Sequence, residues 1–223
     1  MNKFLASLTF IITLVSCSNT TDMETGEIQT LQLLKKSFDS SNKNKQFIDA
    51  RNLISREQID VANIPVIFVE LVSGQNGTLT PYPGQGVGQT WLGADGATIT
   101  LEKGVLKASR GMGDDLMGSS SSMPHWSQIE KKTENYSREL AHITGNNKIS
   151  KRVFNCDIEK TNSEDVIEIW DKNFKVDKFE EKCFDGNLTF KNIYYVDTKK
   201  IIRRSTQYHS DTLGSITIER LDR

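Results

Sequence analysis

Three thiols, three imidazoles and a scatter of carboxylates are the groups in this 223-residue chain whose types could do chemistry. The cysteines stand at 17, 156 and 183, and the histidines at 125, 142 and 209. None of the six lies at the short Cys/His separations that gather round a zinc ion, so no metal site is expected. Asp114-Asp115 could offer carboxylates for acid–base or cation work, but neighbours on an extended chain point apart and no third ligand stands near. A solvated loop is the expected reading. Pro81-Tyr82-Pro83-Gly84-Gln85-Gly86-Val87-Gly88 has the glycines of a phosphate loop without the Lys-Ser/Thr pair, and it leads into a strand where a phosphate loop would open a helix. No cofactor is expected. Trp91, Trp126 and Tyr82 could stack on sugar rings if exposed, although aromatics in a β domain more often belong to the core.

Cys17 has the clearest chemistry. Met1-Asn2-Lys3 supplies a positive start, and Phe4 to Val15 is apolar apart from Ser7, Thr9 and Thr13. That run is too short for a stable transmembrane helix and reads as an export leader. Its end, Leu14-Val15-Ser16-Cys17, resembles the lipobox at which bacterial lipoproteins are cut and the cysteine is acylated. The expected organisation is a signal peptide over 1–16, a lipidated Cys17 with a flexible tether over 17–26, and one mainly-β periplasmic domain over 27–223. Several acyl chains hold a protein on a membrane where one is marginal. Ser18, where an aspartate would favour inner-membrane retention, points to the outer membrane.

Composition narrows the classes further. The formal charge is -1, with 28 Lys+Arg against 29 Asp+Glu, so nothing in the bulk electrostatics draws the chain to nucleic acid. Removing 1–16 takes away Lys3 and leaves the mature chain slightly more acidic. A hydrophobic content of 36% over this length suffices for a real core.

The elements that must position any site are mostly strands. Ile28, Leu31, Leu34 and Phe38 recur at helical spacing, and Phe47 to Ser55 carries a second, mixed helical pattern. Val66 to Val72 is a short β-branched run before the turn formers Ser73-Gly74-Gln75-Asn76-Gly77. Thr90 to Leu116 reads as a meander: Trp91-Leu92, a turn at Asp95-Gly96, Ala97 to Leu101, a turn at Lys103-Gly104, then Val105 to Ala108. Gly111 to Ser122 is rich in Gly and Ser and is expected to be a mobile loop. Further strands are expected over 134–143, 149–158, 166–170, 188–196, 201–208 and 215–221. Many short strands without intervening helices predict an all-β fold, an antiparallel meander closing into a barrel-like or sandwich domain behind one or two short N-terminal helices.

With Cys17 assigned to lipid and the domain exported, Cys156 and Cys183 are expected to pair as a disulfide; two buried free thiols are the alternative. The charged stretch that this bond closes, Asp157 to Lys182, reads as an insertion with little core of its own.

The order of these features is similar to that of the YjbF/GfcB family of bacterial lipoproteins, associated with exopolysaccharide and group four capsule production. The lipobox, Ile54-Ser55-Arg56-Glu57-Gln58-Ile59, Pro65 to Leu71, Trp91 with Asp95-Gly96, Gly104 with Val105-Leu106, Gly111-Met112, Asp115-Leu116, Val153-Phe154-Asn155-Cys156, Asn192 to Asp197 and Arg204 to Gln207 carry the resemblance. It implies an antiparallel β-barrel-like domain and brings no catalytic residue with it. The expected function is a lipid-anchored, non-enzymatic accessory component in capsule or exopolysaccharide secretion or assembly. Its partners would be membrane lipid, through the acylated cysteine, and polysaccharide-export proteins of the envelope. The alternative is a glycosidase-like enzyme acting on the exported polymer. Trp91, Asp95 and Trp126 are the candidates for contact with polysaccharide or a partner.

Overall fold

The structure, a computed structural model, describes residues 49–83, 88–143 and 148–222. The lipobox, Cys17, the tether, the helix expected over Ile28 to Phe38 and the turn signal at 145–147 lie outside those residues.

Twelve strands make one antiparallel sheet: β1 (Ile67–Leu71), β2 (Asn76–Tyr82), β3 (Gln89–Gly93), β4 (Thr98–Glu102), β5 (Val105–Arg110), β6 (Leu116–Ser121), β7 (Lys132–Ile143), β8 (Ile149–Ile169), β9 (Lys172–Phe184), β10 (Thr189–Asp197), β11 (Ile202–Ser210) and β12 (Gly214–Arg220). Their order in space is β5-β4-β3-β2-β1-β12-β11-β10-β9-β8-β7-β6. Every neighbour is thus a chain neighbour except β1 and β12, whose pairing from Ile67↔Arg220 to Leu71↔Ile216 joins the two meanders. The result is an up-and-down barrel, nearly closed, with its seam between β5 and β6. There, side chains replace the ladder: the Leu116 N–H donates to Ser109 Oγ at 3.0 Å, and Arg110 Nη1 donates to the Leu116 carbonyl at 2.9 Å. Both backbone groups of Leu116 are thereby satisfied at the point where the two edge strands come together.

The expected meander is β3, β4 and β5, with Trp91↔Ile99 and Ile99↔Ser109 in register. Three expectations need correction. The Gly/Ser-rich run expected as a loop contains β6, paired to β7 through Ser119↔Leu140, Ser120↔Glu139 and Ser121↔Arg138. Composition misleads here because the ladder with β7 satisfies the backbone whatever the side chains are. The helix expected over Phe47 to Ser55 is, within the described residues, only a 3-10 turn, Ala50–Asn52. The helix proper, α1 (Arg56–Ala62), starts one residue after that pattern ends, because Ser55 and Gln58 form a reciprocal capping box. Gln58 N–H donates to Ser55 Oγ at 3.3 Å, and Ser55 N–H donates to Gln58 Oε1 at 2.8 Å.

The third correction concerns Asp157 to Lys182. It is no insertion but the body of a long β8–β9 hairpin, turned by Trp170 and Asp171, both in the left-handed region at φ 49° and 61°. Cys156 lies directly opposite Cys183 in the ladder, and the two form a disulfide. The register shifts between Lys160 and Asp165. A slip changes which face alternate residues present, and the hairpin uses it. Cys156, Ile158, Phe179 and Cys183 join the main apolar core, whereas Ile167, Ile169, Phe174 and Val176 beyond the shift form a second cluster with Ala50, Ile54, Ile59, Phe68 and Leu221. The far half of the hairpin therefore packs the N-terminal segment onto β1, with Phe68 edge-on to Trp170 at 5.9 Å.

Candidate functional site

A cavity of about 510 Å³ opens at one end of the barrel, bordered by β1, β3, β4, β11 and β12 and by two turns. The first turn is Lys103-Gly104, between β4 and β5. A side chain at Gly104 would meet Ile202 at 2.8 Å, so glycine alone lets the turn dock on β11. Gln207 fixes it there, donating through Nε2 to the Gly104 carbonyl at 2.9 Å and accepting the Leu106 N–H at 2.9 Å. The second turn follows β10. Asp197 Oδ1 accepts the N–H groups of Lys199 and Ile201, and Arg203 Nε donates to Oδ2 at 2.7 Å.

Aliphatic Ile67, Leu101, Ile202 and Ile218 and the buried Trp91 give the cavity its apolar wall. Lys103, Lys200, Arg220, Gln89, Ser205 and His125 give it polar edges. Arg220 is held by both oxygens of Asp222 at 2.6 and 2.9 Å. Glu102, the one carboxylate among the described lining residues, pairs with Lys107 at 2.9 Å. Among the described residues, Lys103 and Lys200 have no ion pair and the Trp91 indole nitrogen has no hydrogen-bond partner. An apolar wall with a few polar groups at its rim is the usual make-up of a small-molecule site, and the volume falls in the usual range of about 300–1,000 Å³.

A second polar group is sealed inside the barrel. Glu181 accepts from Tyr136 and Tyr194 hydroxyls at 2.7 and 2.8 Å, from Asn192 Nδ2 at 2.6 Å, and from Arg138 Nε and Nη2 at 3.1 and 2.7 Å. Burial acts to raise its pKa, but the Arg138 charge and the donated hydrogen bonds outweigh burial and hold it below the ordinary carboxylate range. Burial, and then the Glu181 charge, push both tyrosines up. With every donor aimed at an ionised acceptor, this is a structural network and has no proton to trade. Glu181 lies within 4.8 Å of the Cys156 and Cys183 sulfurs, a grouping with metal-ligand atoms. The sulfurs are bonded to each other and both carboxylate oxygens are occupied, so the donor set is already spent.

The three residues nominated for contact are not brought together. Trp91 is 4% exposed and Trp126 3% exposed, so neither is the open stacking platform that a surface contact requires. Trp91 lines the cavity from within. Trp126, in the β6–β7 connection, packs on Phe179 at 5.4 Å and at 4.9 Å on Tyr194, a member of the Glu181 network. Asp95 sits at the other end of β3, where its Oδ1 accepts the Ala97 N–H at 3.0 Å and completes the turn. It borders a separate, smaller cavity of about 180 Å³. Tyr82 is half exposed and outside the main cavity.

Sequence reasoning passed over Lys103, Lys200, Gln89 and Glu181. Two signals were available. A lysine precedes glycine in a two-residue turn where Asn or Asp is usual. Glu181 alternates with Phe179 and Cys183, which puts it on their face of the strand.

Comparison with known proteins agrees with the architecture. No curated protein matches the chain at a significant level. Among solved structures, the hypothetical lipoprotein YmcC from Escherichia coli (K12) matches with a TM-score of 0.69 at 15% identity, covering 76% of this chain and 89% of that one. At that identity the likeness speaks for the fold alone. No helix among the described residues is long and apolar enough to cross a membrane. Residues 30–221 match the family model described as group 4 capsule polysaccharide lipoprotein GfcB, YjbF, and the chain belongs to that family.

Proposed function

We propose that this protein is a lipid-anchored, non-enzymatic accessory component in the secretion or assembly of a capsule polysaccharide, held at the outer membrane through Cys17 with its barrel in the periplasm. The observation that carries this reading is the family match over residues 30–221, and Leu14-Val15-Ser16-Cys17 gives the anchor. Envelope proteins of the export machinery are its natural partners. The cavity favours binding over hydrolysis. A glycosidase ordinarily sets two carboxylates roughly 5 to 10 Å apart across one sugar, and Glu102 is the only carboxylate among the described lining residues.

The test is the partition of polymer in cells deleted for the gene. An export or assembly component predicts that surface polymer falls while cell-associated or short-chain material rises. A hydrolase predicts surface polymer that is retained and longer. Unchanged amount and length would overturn the proposal.

A further inference from the structure

We infer that the barrel-end cavity binds an acidic sugar residue of the polymer, with Lys103 and Lys200 taking its carboxylate and Trp91 facing its ring or hydroxyls. Both lysines line the cavity from different turns, and neither has an ion pair among the described residues. Both stand in the left-handed region, Lys103 at φ 50° and Lys200 at φ 65°. Glycine or asparagine adopts that conformation with less strain, so turn geometry does not account for lysine at either position. Two unpaired cations at the rim of a partly apolar cavity call for an anion. The one lining carboxylate is already neutralised by Lys107.

The cavity floor supplies the second half of the recognition. Trp91 is buried and its indole N–H has no acceptor among the described residues, an unmet donor that costs free energy until a ligand or water meets it. Ile202 and Ile218 give apolar walls for the C–H face of a ring. Gln89, whose Nε2 is taken by the Tyr82 and Thr90 carbonyls so that its Oε1 is what it can offer, and Ser205, whose Oγ accepts from Gln207 and keeps its O–H to donate, interrupt those walls, which suits a polyhydroxylated ring better than an acyl chain. The inference rests on the capsule reading only for the choice of a saccharide as occupant.

The test uses the full-length lipidated protein in detergent, titrated with oligogalacturonate, with maltohexaose as the neutral control and short-chain phosphatidylglycerol as the anionic lipid control. Binding is read by calorimetry and by the Trp91 indole N–H resonance, assigned with Trp91→Phe. Oligogalacturonate should bind and move that resonance, and maltohexaose should bind about tenfold more weakly or not at all. The variant Lys103→Gly/Lys200→Gly relieves both strained positions, so its melting temperature should hold or rise while oligogalacturonate binding is lost. Equal binding of both oligosaccharides, binding of neither, preferential binding of phosphatidylglycerol, or undiminished binding in the folded double variant would each overturn the inference. If deletion of the gene still removes surface polymer in any of those cases, the capsule role stands and only the cavity assignment falls.

Discussion

Arg138 and Glu181 meet at 2.7 Å inside the barrel with 4% and 0% of their side chains exposed. An ion pair in that position adds little net stability, but removing one partner leaves the other as an uncompensated buried charge. Arg138→Met should therefore cost about 3–5 kcal/mol in urea unfolding. The double variant Arg138→Met/Glu181→Leu should cost less than the sum of the two single changes, because neither orphaned charge remains. A loss below about 1 kcal/mol for Arg138→Met would contradict the network described here.

Trp126 is a plug and not a sugar platform. Trp126→Ala should destabilise the domain by about 3–5 kcal/mol through lost packing on Phe179 and Tyr194. A fully stable variant with impaired polymer binding would reverse that assignment.

The Cys156–Cys183 bond joins residues 27 apart in sequence. In the chain-entropy account, closing such a loop stabilises the folded state by about 3.5 kcal/mol. Cys156→Ser/Cys183→Ser should lower the unfolding midpoint under non-reducing conditions to that of the reduced wild type. Wild-type protein indifferent to reductant would show that the bond adds nothing to the β8–β9 hairpin.

His209 makes the seam sensitive to acid. Its Nε2 lies 2.7 Å from Ser109 Oγ, which also receives the Leu116 N–H, and His142 stacks edge-on at 5.8 Å. Burial, with His142 adding to it, lowers the His209 pKa from 6.5 to about 4, against an opposing pull from Asp114 and Asp115. The unfolded chain takes up a proton below pH 6.5 that the folded one refuses until about 4. The stabilisation is thus fully present above pH 6.5 and is lost as pH falls toward 4, by about 2 kcal/mol at pH 5. Urea midpoints between pH 7.5 and 5 should fall for the wild type and fall less for His209→Gln. Equal slopes would show that other groups carry the acid sensitivity.

The fold was legible where local chemistry and tertiary pairing agree. Asp95-Gly96 and Lys103-Gly104 mark tight turns between alternating strands, so β3 to β5 could be read directly. The paired cysteines followed from export alone. The β8–β9 hairpin was hidden by its charges: it uses Lys and Glu on solvent-facing positions, and its apolar period slips by one residue between Val176 and Phe179, which breaks the alternation a reader relies on. β6 was hidden because serines form a strand only when β7 is beside them. Of the site, Trp91 was legible as an aromatic of interest. Its partners were not, since Lys103 and Lys200 lie almost a hundred residues apart and border one cavity only through the docking of one turn on β11.

The central claim is an anchored component of capsule export. Its most direct test is surface polysaccharide on cells deleted for the gene and complemented with wild type or with Cys17→Ala. The account predicts that polymer is lost on deletion, restored by the wild type, and not restored by a folded Cys17→Ala protein released into the periplasm. Full restoration by the released form would contradict anchoring, and unaltered polymer in the deletion would contradict the capsule role itself.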